Sequence, residues 1–165
     1  MAMNYCMECG TKLILRHEDG EGEIPYCETC GAFRYPVFST AVSMIVMNDE
    51  RDRVLLIQQY GRPRYILVAG YVNKGEDAED AVERELMEEL GLHVSAKRFN
   101  RSHYFAPSNT LMLNFTVTVA EEEPHPNREI DSWRWFPVEE ARARIAPGSL
   151  AAAFLNGYLD GEYHF

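Results

Sequence analysis

The sequence predicts an α/β domain that follows a small cysteine-rich unit, and two observations support this fold class. All four cysteines lie within the first 35 residues, where few large aliphatic side chains occur. From Pro36 onward, apolar runs of strand length alternate with a segment of helical periodicity. We therefore place the cysteine unit at residues 1–35 and the α/β domain at residues 36–165, a length that supports one full hydrophobic core.

The order of elements in the α/β domain follows from apolar runs and the turn residues between them. The predicted strands cover residues 37–47, 54–59, 65–72, 94–105, 111–121 and 133–136. The predicted helices cover residues 77–90, 137–145 and 149–158. Gly91 can end the first helix, Pro137 suits the first turn of the second, and Ser149 can cap the third.

Composition and charge limit the function classes. Apolar residues make up 46% of the chain, as in ordinary globular proteins, and the formal net charge is −10. A chain this acidic has no general attraction for nucleic-acid phosphates, so we expect no nucleic-acid partner. An anionic substrate would need bound cations. No apolar run approaches the roughly 20 residues of a membrane span, and the start MAMNYCMECG lacks the pattern of a secretion signal. We expect a cytoplasmic protein without membrane contact.

The cysteines are spaced as in a metal site. Two C-x-x-C-G sequences supply the candidate ligands Cys6, Cys9, Cys27 and Cys30. Four thiolates form a closed tetrahedral site with no open position for substrate, so the expected zinc is structural. Two disulfides are an alternative that a cytoplasmic chain disfavours, and a redox motif would need only one of the pairs. The sequence therefore predicts a zinc ribbon.

Three glutamates share one face of the first predicted helix: Glu85, Glu88 and Glu89. Val82, Leu86 and Leu90 lie on another face, where they can pack into the core. Like charges at this spacing destabilise a helix by about 0.2–0.5 kcal/mol per pair. A hard cation such as Mg²⁺ or Mn²⁺ would relieve that repulsion, since it prefers carboxylate oxygens. From these residues alone, a solvated acidic face is the alternative.

The segment from Gly70 to Leu92 resembles the Nudix box, G-x5-E-x7-R-E-U-x-E-E-x-G-U with U aliphatic. The fixed positions are filled in order by Gly70, Glu76, Arg84, Glu85, Leu86, Glu88, Glu89, Gly91 and Leu92. This resemblance implies an α/β/α Nudix sandwich behind the N-terminal four-cysteine zinc ribbon, and metal-dependent hydrolysis of a diphosphate bond. It implies Mg²⁺ or Mn²⁺ bound by Glu85, Glu88, Glu89, Glu129 and Gly70. It also implies that Arg84 pairs with Glu76, and that Glu129 is a metal ligand or base.

The chain is also similar to the zinc-ribbon-containing bacterial NADH pyrophosphatases. The resemblance includes the ribbon, Tyr35-Pro36, residues 67–72 and a segment at 102–112 that partly matches S-Q-P-W-P-F-P-x-S followed by Leu-Met. In that segment Gln and the flanking prolines are missing, and Asn73 stands where the family often has an acidic residue. The resemblance implies a homodimer that hydrolyses NADH or NAD⁺ to AMP and the nicotinamide mononucleotide.

Five side chains are the candidates for holding substrate by this resemblance: Tyr35, Tyr71, Ser102, Tyr104 and Phe105. For each aromatic ring, core packing is the alternative. Two other functions stay open. One is hydrolysis of another nucleoside diphosphate derivative such as ADP-ribose. The other is an inactive Nudix fold that binds a nucleotide, although such a fold would be expected to lose catalytic glutamates and none is lost here.

Overall fold

The computed structural model of the chain describes residues 3–120 and 123–163. The described chain divides into two units, with the boundary between Phe38 and Ser39. No helix within the described residues is long and apolar enough to cross a membrane.

The first unit contains a three-stranded antiparallel sheet in the order β1-β2-β3. Its strands are β1 (Ile14–Glu18), β2 (Gly22–Cys27) and β3 (Ala32–Phe33). Tyr26 on β2 packs edge-on against Phe33, with ring centroids 5.0 Å apart. The guanidinium of Arg16 lies 4.6 Å above the Tyr26 ring. A unit this small cannot build a large apolar core from its own residues.

The second unit is built on a six-stranded mixed sheet in the order β7-β8-β4-β5-β9, with β6 paired to β4. Its strands are β4 (Ser39–Asn48), β5 (Arg53–Gln59), β6 (Val68–Tyr71), β7 (Val94–Phe105), β8 (Thr110–Val119) and β9 (Ile130–Pro137). Its helices are α1 (Ala78–Leu90), α2 (Val138–Arg144) and α3 (Leu150–Leu159). β4 and β8 pair in parallel over ten residues, whereas the other strand pairs of the described sheet are antiparallel.

Helices cover both faces of this sheet. Val82, Leu86 and Leu90 of α1 are fully buried, as predicted, in one apolar cluster with Met44 and Phe115 of the sheet. A second cluster joins α2 and α3 to the opposite face, through residues such as Ile45, Phe136 and Phe154. The α/β/α fold class predicted from the sequence is confirmed, and α1 is anchored to the sheet by its apolar face.

The ends of the helices agree with the capping residues in the sequence. Gly91 has a φ of 65° after α1, and its N–H donates to the Met87 carbonyl at 2.9 Å. Ser149 Oγ accepts the Ala152 N–H at 3.0 Å at the start of α3. Pro137 stays extended, with a ψ of 141°, so α2 begins one residue later than predicted.

Two predicted strands differ in extent. The strand predicted at 133–136 is longer, because β9 pairs with β5 from Gln59 to Arg53. The strand predicted at 65–72 is shorter, because Ile66 forms only an isolated bridge with Ile57 ahead of β6. Glu121, the predicted end of the strand at 111–121, lies outside the described residues.

Candidate active site

Helix α1 carries the three candidate glutamates to one cavity of about 510 Å³. They reach it at different depths. Glu88 has 58% of its side chain exposed and Glu85 13%, whereas residue Glu89 is only 5% exposed. The shared helix face expected from the spacing therefore combines one solvated carboxylate with two that are largely removed from water.

The rest of the cavity wall comes from strand ends and loops of the second unit. Besides the three glutamates it is lined by Ala41, Gln59, Tyr60, Ala69, Gly70, Tyr71, Asn73, Ser108, Thr110, Met112 and Glu129. Glu129, which directly precedes β9, is thus brought to the same cavity as the glutamates of α1. Four carboxylates from two separate parts of the sequence meet here.

Gly70 makes this arrangement possible because it has no side chain. A Cβ atom built on Gly70 would overlap the carboxyl group of Glu85, including its Cδ and both oxygens. Gly70 is therefore the point where α1 and β6 approach closely enough for Glu85 to lie against the strand.

Arg84 connects the loop before α1 to the helix. Its Nε–H and one NH₂ group donate to Glu76 at 2.6 and 3.0 Å, and the same NH₂ group donates to the Tyr71 carbonyl at 2.9 Å. Its other NH₂ group donates to Glu85 at 2.8 Å and Glu88 at 3.1 Å. The Arg84 hydrogen bond, supported by the Asn73 N–H, lowers the pKa of Glu76 to about 2. One guanidinium thus holds three carboxylates and a strand end.

Glu89 has no such partner. Its Oε2 atom is buried and accepts no hydrogen bond from any residue that the structure describes. Burial, followed by the charges of Glu85, Glu129 and Glu88, raises the pKa of Glu89 to about 7. This buried oxygen accepts no hydrogen bond and lies beside three further carboxylates. Such a group of oxygens suits a hard divalent cation as ligands.

The Glu129 carboxylate contacts Tyr60, a residue that the sequence did not single out. The Tyr60 hydroxyl donates to Glu129 Oε2 at 3.1 Å, and burial together with this contact raises the pKa of Tyr60. Gln59 also lines the cavity, and its buried Oε1 has no partner among the described residues. The only signal in the sequence was Gly61, which marks a turn without saying what the turn faces.

The five candidate substrate residues do not gather in one place. Tyr71 lines the glutamate cavity and is 60% exposed. Ser102 and Tyr104 are exposed on β7 and do not line that cavity. Phe105 lines a second cavity of about 410 Å³ beside the start of α3. Successive strand residues point to opposite faces, so Tyr104 and Phe105 cannot serve one face together. Tyr35 is exposed in the first unit.

The four cysteine sulfurs form the metal-type cluster of the first unit. They lie within 4.8 Å of one another and none is disulfide-bonded. Gly10 and Gly31, with φ of 73° and 64°, turn the chain so that their N–H groups bond the carbonyls of Cys6 and Cys27. Arg34 Nε–H donates to Cys6 Sγ at 3.2 Å, which is the main cause that lowers the pKa of Cys6 to about 6. Such a cluster could hold one zinc ion.

Comparison with known proteins agrees with this fold. The NUDIX domain family matches residues 37–154, so the chain belongs to the Nudix family. It is 34% identical over 159 residues to the NAD-capped RNA hydrolase NudC of Stutzerimonas stutzeri (strain A1501), covering 94% of this chain and 55% of that protein. The NudC of Pseudomonas aeruginosa (strain LESB58) is 32% identical over 161 residues, with 94% and 55% covered. The chain therefore spans about half the length of these relatives.

Solved structures share the fold. A NUDIX hydrolase from Nitrosomonas europaea aligns with a TM-score of 0.68 at 21% identity, over 96% of this chain and 94% of that one. The NUDIX domain of Shewanella oneidensis NrtR, complexed with ADP ribose, aligns with a TM-score of 0.64 at 13% identity, over 83% and 94%. At these identities the likeness concerns the fold alone. Together with the family match, it confirms the Nudix resemblance stated from the sequence.

Glu89→Gln should stabilise the metal-free protein at alkaline pH. Because the native pKa of Glu89 is about 7 against an ordinary 4.5, the native state binds more protons than the unfolded state between these values. The free energy of unfolding therefore falls as pH rises from 4.5 to 7. Removing the ionisable group should remove this fall. The free energy of unfolding of Glu89→Gln should exceed that of the wild type by about 2–3 kcal/mol at pH 8 and should be nearly the same at pH 4.

The measurement is urea unfolding in chelator across that pH range, with Glu79→Gln as the control. Glu79 lies on the same helix, is exposed and does not line the cavity. If the free energy of unfolding depends on pH in the same way in the wild type and in Glu89→Gln, the pKa of Glu89 is not raised in the native protein.

Proposed function

We propose that the protein is a divalent-metal-dependent hydrolase of the diphosphate bond in an NAD-type dinucleotide. NADH or NAD⁺ would yield AMP and the nicotinamide mononucleotide. One observation carries the proposal: four glutamates and two exposed tyrosine rings, Tyr60 and Tyr71, line one cavity. The names of the NudC relatives, which refer to an NAD cap, support the same substrate chemistry.

The metal would be held by Glu85, Glu88, Glu89 and Glu129, with the Gly70 backbone carbonyl as a further ligand. All five residues line the cavity. Mg²⁺ or Mn²⁺ bound there would neutralise charge on the diphosphate oxygens and acidify a water molecule. A binding site for an anion needs such a cation in a chain of net charge −10.

The chain's own groups would position the carboxylates and move one proton. The Arg84 guanidinium fixes Glu85 and Glu88 by hydrogen bonds, which limits where their oxygens can lie. One of the four glutamates would accept the proton of the attacking water through a carboxylate oxygen that the metal leaves free. The water oxygen bonds to one phosphorus, the bridging P–O bond breaks, and the second phosphate leaves with that electron pair.

Tyr71 and Tyr60 give the cavity a preference for flat rings. Both rings are largely exposed, at 60% and 66%, so neither serves the core. A base stacked on an aromatic side chain gains about 1–3 kcal/mol and displaces water from both surfaces. A dinucleotide offers two rings with fewer charges than a nucleoside triphosphate.

One observation favours a second candidate, another nucleoside diphosphate derivative such as ADP-ribose. Phe105, a candidate for stacking the second ring, lines a different cavity from the glutamates. A substrate with one base would need only the tyrosines already at the site. The discriminating experiment is a turnover screen of NADH, NAD⁺, ADP-ribose, FAD, diadenosine polyphosphates and dATP with Mg²⁺ and Mn²⁺. Faster hydrolysis of dATP than of NADH would overturn the dinucleotide assignment.

Glu88→Gln should fold normally and lose at least about a hundredfold in turnover. The change removes one carboxylate charge from a side chain that is 58% exposed, so packing stays intact while a metal ligand is lost. Turnover with saturating Mg²⁺ and the melting temperature are measured together, with Glu79→Gln as the matched change. Equal turnover in both variants would remove Glu88 from the metal set.

Tyr71→Ala should lower kcat/KM for NADH about tenfold, in line with the loss of one stacked ring. The loss should be smaller for ADP-ribose, which has a single base to place. Steady-state kinetics on both substrates with the same metal give the ratio. If the two losses are equal, Tyr71 does not contact the ring that distinguishes these substrates.

We propose further that the four cysteines hold one structural zinc, separate from the catalytic metal. Thiolates select zinc, whereas carboxylates select hard and exchangeable cations. Metal analysis after extensive dialysis against a mild chelator should find about one zinc per chain. Four freely titrating thiols in a folded, zinc-free protein would contradict this assignment.

A further inference from the structure

The turn after β5 has a conformation that its sequence does not favour. Tyr60 and Gly61 have φ of 58° and 66°, and Arg62 N–H donates to the Gln59 carbonyl at 3.2 Å. In turns with positive φ at both central positions, Asn, Asp or Gly usually comes first. A tyrosine in the left-handed region is conformationally unfavourable. Some other contact must favour tyrosine at position 60.

Packing of the ring does not supply that contact. Tyr60 is 66% exposed and belongs to neither apolar cluster of the second unit. The contact that distinguishes it is at the tip of the side chain, where the hydroxyl donates to Glu129 Oε2 at 3.1 Å. Phenylalanine would keep the ring and lose this bond.

The neighbouring residue makes a second contact to the same short segment. Gly61 N–H donates to Asp131 Oδ2 at 2.6 Å. Between the two contacts, Ile130 pairs with Gln59 at the end of the β5–β9 ladder, just beyond a register shift. The turn at residues 60–61 thus forms hydrogen bonds to both residues that flank Ile130, Glu129 and Asp131. Bulges and strained turns of this kind concentrate at functional sites.

Glu129 needs such support more than the other glutamates do. Glu85, Glu88 and Glu89 are fixed by helix α1. Glu129 precedes β9, and its backbone N–H is held by the side chain of Asn127 at 2.8 Å. Hydrogen bonds to carboxylate ligands set the direction of their oxygens, and losing one typically weakens metal binding.

We propose that Tyr60 is a positioning residue, whose hydroxyl holds the Glu129 carboxylate in the orientation that binds the divalent metal. This role rests on the proposed function, because it takes Glu129 as a metal ligand. Tyr60 acts through Glu129 and does not touch the reacting phosphorus. Tyr60 lies outside the Nudix box at residues 70–92. Metal affinity in this chain therefore depends on a turn outside the motif.

The test is Mn²⁺ binding to the full chain, followed by the electron paramagnetic resonance signal of free Mn²⁺ without substrate. Four proteins form a double-mutant cycle: wild type, Tyr60→Phe, Glu129→Gln and the double variant. Tyr60→Phe should weaken Mn²⁺ binding about tenfold. In the Glu129→Gln background the same change should have no further effect. Tyr158→Phe, on α3 and away from the cavity, controls for loss of a tyrosine hydroxyl.

Two results would overturn the proposal. One is a Tyr60→Phe variant that binds Mn²⁺ as tightly as wild type while Glu129→Gln binds it weakly, which leaves the proposed function intact. The other is an equal loss with and without the Glu129 carboxylate, which would show that Tyr60 does not act through it. Failure of the proposed function has a different signature: intact coupling in Mn²⁺ binding, with no hydrolysis of any dinucleotide.

Discussion

The candidate site depends on one guanidinium. Arg84 donates hydrogen bonds to Glu76, Glu85 and Glu88 and to the Tyr71 carbonyl, so it ties the loop, the helix and the end of β6 into one unit. With a single positive charge among these carboxylates, their mutual repulsion is reduced and not removed. Glu89 and Glu129 lie in the same cavity beyond this network. The residual negative charge makes the cavity suited to a cation, since burying uncompensated carboxylates is costly.

The sequence was informative wherever a local rule decides the structure. Helix α1 and its glycine end followed from periodicity and capping, and its buried face followed from the spacing of Val82, Leu86 and Leu90. The gathering of the cysteine sulfurs within 4.8 Å agrees with their paired spacing. In each case the residues concerned lie close together in the chain, or belong to a motif whose geometry is nearly fixed.

The rest of the cavity could not be predicted, because its residues meet only through distant strand pairing. Tyr60 reaches Glu129 across 69 positions of sequence. Met112 comes beside Ala41 through the parallel pairing of β8 with β4. The depth of Glu89 also depends on what covers the helix, which periodicity does not reveal. Tyr104 and Phe105, two candidates from one segment, lie on opposite faces of β7, because side chains alternate along a strand.

The ten-residue parallel pairing of β4 with β8 has a consequence for the order in which the molecule is assembled. Antiparallel β7 and β8 are joined by a short 3₁₀ turn, Ala106–Ser108, and can form locally. The β4–β8 contact closes a loop of about 70 residues and carries a large entropic cost. Helix α1 and its glutamates lie inside that loop. A nascent chain that ends before β8 would hold the complete Nudix motif and still lack the wall formed by Thr110 and Met112. The Nudix motif is therefore synthesised before the residues that complete the cavity, Glu129 among them.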